Sequence, residues 1–222
     1  LPISIGSFKS NNFRIKKKLK KKIDILYISS FFASDEKLKK IMITKDINGE
    51  QFDKPQKELI KTLNEYSKNY NLKLFIYGRS RFTKKAIEEK KYYSSLLSKG
   101  NWEFITNNRK KNFTYIDRSS LVVAINSSLG YESFSRKIKT VFFNIRPKNK
   151  ELKTISFGWP ALYKMKRGSF WISSLDYEKV EKFLNNVRGC SNSEWQKIVK
   201  KYEKNLVLRD ENNTKFLKLI NI

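Results

Sequence analysis

The chain has 222 residues, 39% of them hydrophobic, which is enough for one well-filled core or a domain with appendages. It has no histidine and one cysteine, Cys190, so Ser-His-Asp and Cys-His catalysis, His-rich zinc sites and an intrachain disulfide are excluded. With 48 Lys+Arg against 21 Asp+Glu the formal charge is +27, and anionic partners follow: nucleic acid, an acidic membrane surface or phosphorylated substrates.

The competing explanation of that charge is compositional. Lysine far outnumbers arginine, isoleucine and asparagine are abundant, and only Lys16–Lys22 forms a dense basic block. The opening Leu1–Gly6 is apolar but too short for a signal sequence, and its basic residues follow instead of preceding it. It lacks an initiator Met, which suggests a processed or partial product. No apolar run is long enough to span a bilayer.

Residues 1–22 read as a basic N-terminal arm or linker. Lys22–Ser30 predicts the first strand, closing on the pair Ser29-Ser30. Thr44–Lys54 is loop-like, and a helix is expected from near Pro55, with Leu59, Ile60, Leu63, Tyr66 and Tyr70 at helical spacing. Leu72–Tyr77 predicts the second strand, ended by Gly78-Arg79-Ser80-Arg81. The helix expected over Lys84–Leu97 turns Ile87, the Lys91 stem, Tyr92 and Leu96 towards the sheet, and Gly100 stops it.

Trp102–Ile105 predicts a third strand, followed by a connection through Tyr115-Ile116-Asp117. Leu121–Asn126 is rich in β-branched and aliphatic residues, as in an interior parallel strand. A polar bend at Ser127-Ser128, a short helix through Ser135 and a strand over Lys139–Asn144 come next. Further on, Gly158-Trp159-Pro160 reads as a loop and Gly168–Ile172 as a loop with a short strand. A helix is capped by Asp176, Ser193-x-x-Gln196 has the form of a capping box, and Thr214–Ile220 is a last helix. The division is an arm at 1–22, a Rossmann-like domain at 23–205 and a helical tail at 206–222.

Alternating strands and helices predict an α/β fold, a parallel sheet covered on both faces, with ligands beyond the carboxyl ends of the strands. Those ends carry Ser29-Ser30, Gly78-Arg79-Ser80-Arg81, Asn126-Ser127-Ser128 and Asn144-Ile145-Arg146. The bend Ser127-Ser128-Leu129-Gly130 offers hydroxyls and the N–H groups of a helix start, a setting that attracts phosphate, and Gly130 allows close approach. Glu132, placed in the first helical turn, either complements the helix dipole or accepts a ribose hydroxyl pair. Arg79 and Arg81 are either a diphosphate clamp or solvated loop charges. Trp159 and Trp171 are either a pocket wall or core. There is no Walker-type loop and no Gly-x-Gly-x-x-Gly, and the acidic residues show no divalent-metal spacing.

Ser127-Ser128-Leu129-Gly130-Tyr131-Glu132, the helix end Ser135–Lys139, Val141–Arg146, Phe157-Gly158-Trp159-Pro160 and Gly168-Ser169-Phe170-Trp171 follow one another as in bacterial surface carbohydrate biosynthesis proteins. The chain resembles these, over about residues 23–222, and through them the nucleotide-binding half of GT-B-type glycosyltransferases. The resemblance implies a Rossmann-like half of a GT-B fold that binds a nucleotide-sugar donor for lipopolysaccharide, capsule or another surface glycan. It implies phosphate at Ser127, Ser128, Leu129 and Gly130, ribose at Glu132, and Arg79 as the catalytic cation; Arg81 and Ser30, from their places at the strand ends, are expected to complete the donor site. No metal or other cofactor is implied. The acceptor, a glycan or lipid-linked molecule, and often the catalytic base belong to the other half of such enzymes.

The expected location is the cytoplasm, with peripheral contact at the anionic inner membrane. The alternatives are a basic nucleic-acid-binding module, a nucleotide-sugar epimerase-like enzyme or hydrolase, and a nucleotide-binding subunit without turnover. The nucleic-acid reading is disfavoured because the aromatics fall on core positions of strands and helices and not on a basic stacking platform.

Overall fold

A computed structural model describes residues 7–13, 20, 22–31, 49–98, 100–108, 111–146, 157–158, 162 and 164–220. Six strands form one parallel sheet: β1 (Ile23–Ile28), β2 (Leu74–Tyr77), β3 (Trp102–Ile105), β4 (Ser119–Ala124), β5 (Thr140–Phe143) and β6 (Trp171–Ile172). Their order is β3-β2-β1-β4-β5-β6, so the chain steps outward one way from β1 and the other way from β4. Leu121–Ala124 of β4 and all of β5 are buried on both faces, which accounts for the apolar runs Leu121–Ala124 and Val141–Phe143. This is the Rossmann-like α/β fold expected, and its topological switch point lies between β1 and β4.

The helices described are α1 (Phe8–Asn12), α2 (Gly49–Asn69), α3 (Thr83–Leu96), α4 (Asn112–Asp117), α5 (Ser128–Ser135), α6 (Tyr177–Gly189), α7 (Asn192–Leu206) and α8 (Thr214–Leu219), with a 3₁₀ turn at Glu211–Asn213. No helix among the described residues is long and apolar enough to cross a membrane.

Four helices depart from expectation, each for a local reason. α2 starts at Gly49, and Pro55 lies inside it. The proline removes one backbone donor. The turn is held by side chains instead: Asp53 accepts from the Tyr92 hydroxyl of α3 at 2.8 Å and pairs with Lys57, one turn on in the same helix, at 2.6 Å. Residues 44–48 lie outside the described residues. α3 turns Ala86, Glu89 and Tyr93 inward; of the expected face Tyr92 and Leu96 are half-buried and pack on the core, while Ile87 and Lys91 are exposed. Ile87 is 51% exposed. The stretch expected as a connection is α4, because Phe113 and Ile116 bury the same side of one short turn. α7 is capped two residues early: Ser191 accepts from the Glu194 N–H at 3.2 Å while Glu194 accepts from the Ser191 N–H at 2.8 Å.

Residues 7–13, expected within an arm, dock on the domain. Arg136, with a fully buried side chain, grips Asp117 through Nε (2.9 Å) and Nη2 (2.5 Å) and donates from Nη1 to the Phe13 carbonyl at 2.8 Å. Asn11 donates to Asn213 at 2.8 Å and accepts from the Asp210 N–H at 3.0 Å. The described parts of the N- and C-terminal segments therefore meet on one side of α5. The Lys16–Lys22 block falls largely outside the described residues. Trp171 and Trp195 are core residues, while Trp159 and Pro160 lie outside the described residues.

Candidate functional site

β4 ends at Ala124, and the chain turns through half-buried Asn126 and Ser127 into α5. Ser127 is the N-cap: its hydroxyl accepts from the Leu129 N–H at 3.3 Å. Its carbonyl accepts from the Gly130 N–H at 2.9 Å and the Tyr131 N–H at 3.2 Å. Fewer donors are thus available than a bare helix start would offer. Ser128 is exposed, and none of these bonds engages its amide or hydroxyl.

Leu129 is half-buried and packs on the core. Gly130 is buried and faces the sheet, not the mouth of the bend. A Cβ there would come within 2.6 Å of the Ala124 Cβ and 3.1 Å of Phe142 Cε1. Its bareness lets α5 lie close on β4 and β5, which corrects the close-approach role expected for it. Glu132 is the fifth residue of α5, past the first turn, so the dipole reading loses its geometry. Its Oε1 accepts from the Ser7 hydroxyl at 2.6 Å.

β1, the neighbour of β4, ends in Ser29-Ser30 on the other lip of the switch-point crevice. Ser30 is 8% exposed and sits beside the Tyr27 hydroxyl, so it lines the floor and not the surface. Burial pushes the Tyr27 phenol up to about 12, with the nearby Arg146 charge opposing that rise. Beyond β2, Arg79 is exposed and leans towards this lip, donating from Nη1 to the Phe31 carbonyl at 3.3 Å. Arg81 is exposed.

Arg146, beyond β5, is 6% exposed and runs in under the crevice. Burial pushes its guanidinium down to about 10; Tyr27 and Tyr93 raise it, and the charge of Arg79 lowers it further. Two arginines from strands on opposite sides of the switch point therefore feel one another's charge. Such a concentration of positive potential favours an anion.

The sequence reading overlooked Glu89. Its carboxylate is buried between the ends of β1 and β2, accepting from the Ser29 hydroxyl, from the Arg79 N–H at 2.9 and 3.0 Å, and from the Ser80 N–H at 3.1 Å. Ser29 is also 2.7 Å from the Tyr93 hydroxyl. Since the single Ser29 proton goes to Glu89, Tyr93 is the donor in that contact. Burial pushes the Glu89 carboxyl up, against these hydrogen bonds and the Arg79 charge. A signal was present: Ala86, Glu89, Tyr93 and Leu97 recur at helical spacing, with an acid on an otherwise apolar stripe.

A family model described as "putative O-antigen biosynthesis protein" matches residues 2–222. No curated protein matches the chain. Among solved structures, a "putative UDP-N-acetylglucosamine 2-epimerase" from Listeria monocytogenes is similar at TM-score 0.51 and 11% identity, over 90% of this chain and 45% of that one. S. aureus TarM is similar in two structures. A point mutant in complex with fondaparinux, α-GlcNAc-glycerol and UDP gives TM-score 0.49 and 14% identity over 95% of this chain and 38% of that one. A second TarM structure gives 0.48 and 16% over 95% and 37%. The chain spans less than half the length of each. The likeness to the epimerase shows the fold, a Rossmann-like half of the GT-B type.

Proposed function

Because this chain belongs to the family of O-antigen biosynthesis proteins, we propose that it is the nucleotide-sugar-binding domain of a glycosyltransferase that builds a surface polysaccharide. The observation that carries this reading is the switch-point crevice. An exposed Ser128 at a helix N-terminus stands on one lip, and Arg79, reaching for the Phe31 carbonyl, stands on the other.

In this reading the donor's phosphates lie in the crevice. Ser128 donates from its amide and hydroxyl, and Ser127 holds the turn as its cap. Arg79 neutralises the phosphate nearest the sugar, with Arg81 at the rim and Arg146 beneath. When the anomeric carbon–phosphate oxygen bond breaks and the acceptor oxygen bonds to that carbon, giving its proton to a base on the other half of the enzyme, negative charge grows on the departing phosphate. Fixed cations and the Ser128 amide at the helix N-terminus, in a partly buried crevice, stabilise that charge more than they stabilise the donor ground state. Glu132 accepts the ribose hydroxyls through its carboxylate, one oxygen of which also holds Ser7. The acceptor is a glycan or a lipid-linked sugar, and the chain's +27 charge suits work at an anionic membrane face.

Thermal unfolding in the presence of UDP, GDP, dTDP and CMP tests the reading. One of the four should stabilise the protein by about 2.7 kcal/mol at a hundredfold excess over its dissociation constant. Absence of any shift with all four contradicts it.

A further inference from the structure

We propose that Glu89 is a positioning residue for Arg79: it locks the loop after β2 so that the Arg79 guanidinium is presented to the donor phosphates. This rests on the donor reading above and adds a residue that touches neither donor nor acceptor.

The argument is a closed ring of hydrogen bonds. Glu89 holds the Arg79 N–H and, on its other side, the Ser29 hydroxyl. Ser29 Oγ accepts from the Phe31 N–H at 3.1 Å, and the Phe31 carbonyl accepts from Arg79 Nη1 at 3.3 Å. One buried carboxylate thus fixes where the Arg79 main chain starts and, through Ser29, where its guanidinium ends. Three further contacts pin the same loop: Ser80 N–H to Glu89 at 3.1 Å, Gly78 N–H to the Ile105 carbonyl at 2.8 Å, and Asn107 Nδ2 to the Arg79 carbonyl at 2.8 Å. Gly78 has room for no side chain here, since a Cβ would lie 2.6 Å from Phe104 Cζ and 3.3 Å from Glu89 Oε2.

A long arginine on an unanchored loop would give up rotamer and loop entropy on meeting a phosphate. Anchoring the loop beforehand removes part of that cost, which is the physical content of preorganisation. A carboxylate suits the task because it is acceptor-only and converges three donors. Placing it in the interior costs desolvation, seen as the raised Glu89 carboxyl, and that cost is offset by those bonds.

The test is a double-mutant cycle read by calorimetric titration with whichever of UDP, GDP, dTDP and CMP the wild type binds, and with inorganic pyrophosphate. Glu89→Ala should weaken binding about tenfold. Glu89→Gln should stay within about threefold of wild type, because a glutamine oxygen still accepts from Arg79 and Ser80 while its NH₂ donates to Ser29. Arg79→Ala should weaken binding at least as much as Glu89→Ala. The double variant Arg79→Ala/Glu89→Ala should bind no worse than Arg79→Ala alone, since Glu89 acts through Arg79.

Wild-type affinity in Glu89→Ala, or losses that multiply in the double variant, overturns the proposal. Should Glu89→Ala not fold, amide hydrogen exchange of the wild type decides: the Arg79 and Ser80 amides should be protected, and exchange at open-loop rates overturns it. If the wild type binds none of UDP, GDP, dTDP and CMP the donor reading fails, whereas fast exchange at Arg79 and Ser80 refutes the anchoring by itself.

Discussion

The hydroxyl of Ser7 donates to Glu132 Oε1 at 2.6 Å while its oxygen caps α1 by accepting from the Ser10 N–H at 3.3 Å. A residue near the start of the chain thereby touches the carboxylate assigned to ribose. The staple contact of Glu132 and the ribose role proposed for it separate in one experiment. Wild type should prefer its nucleotide over the 2′-deoxy analogue by about tenfold, the worth of a charge-assisted hydrogen bond. Glu132→Ala should lose that preference and Ser7→Ala should keep it. A Glu132→Ala variant that still discriminates identifies the residue as a staple only.

Glu89 makes stability depend on pH in a defined direction. Its folded-state carboxyl is raised above the ordinary value of 4.5, chiefly by burial, so the folded protein holds this proton longer than the unfolded chain. The associated stability is fully present below about pH 4.5 and is lost as pH rises through the folded-state value. Glu89→Gln cannot ionise and escapes that loss. Its melting temperature relative to wild type should therefore rise from pH 4 to pH 7, a span set about this window. A relative melting temperature that falls over the same range contradicts the assignment of Glu89 as buried and proton-retaining.

The Asp117–Arg136 pair ties α4 to the end of α5 and holds the Phe13 carbonyl. Asp117→Ala leaves a buried guanidinium without its carboxylate and should cost about 3–5 kcal/mol in denaturant unfolding. A loss below about 1 kcal/mol would mean that the pair is hydrated in solution.

Gly130→Ala forces a methyl against Ala124 and Phe142, at 2.6 and 3.1 Å. The expected cost is about 1–3 kcal/mol, with weaker nucleotide binding because α5 and its N-cap must shift. Ala124→Gly in the same molecule removes the nearer clash and should restore part of both. Full stability and full binding in Gly130→Ala alone would show that α5 does not lie where the packing puts it.

Much of the fold was legible in the sequence because interior parallel strands are nearly all apolar. Leu121–Ile125 and Val141–Phe143 admit no other reading once bounded by Ser127 and Asn144. What escaped were the features decided by tertiary contact. Pro55 looked like a helix start, yet the Asp53–Tyr92 bond holds a turn in front of it. The face of α3 hung on whether Ile87 or Glu89 was buried, and hydrophobicity alone chose Ile87. Glu89 goes inward because Ser29, Arg79 and Ser80 wait for it there, groups that are 60, 10 and 9 residues away along the chain. The Ser127–Glu132 segment was found as a motif, but the facing of Gly130 and the Ser7 contact to Glu132 required coordinates.

The central claim is that the donor nucleotide sits with its phosphate between Ser128 and Arg79. Amide resonances followed by NMR during titration with the stabilising nucleotide test it most directly. The account predicts the largest shifts at Ser128, Leu129 and the Arg79–Ser80 amides, saturating together. Shifts confined to the lysine-lined groove of Lys137, Lys197 and Lys200 beyond the C-terminal end of α5, with Ser128 unmoved, would contradict it.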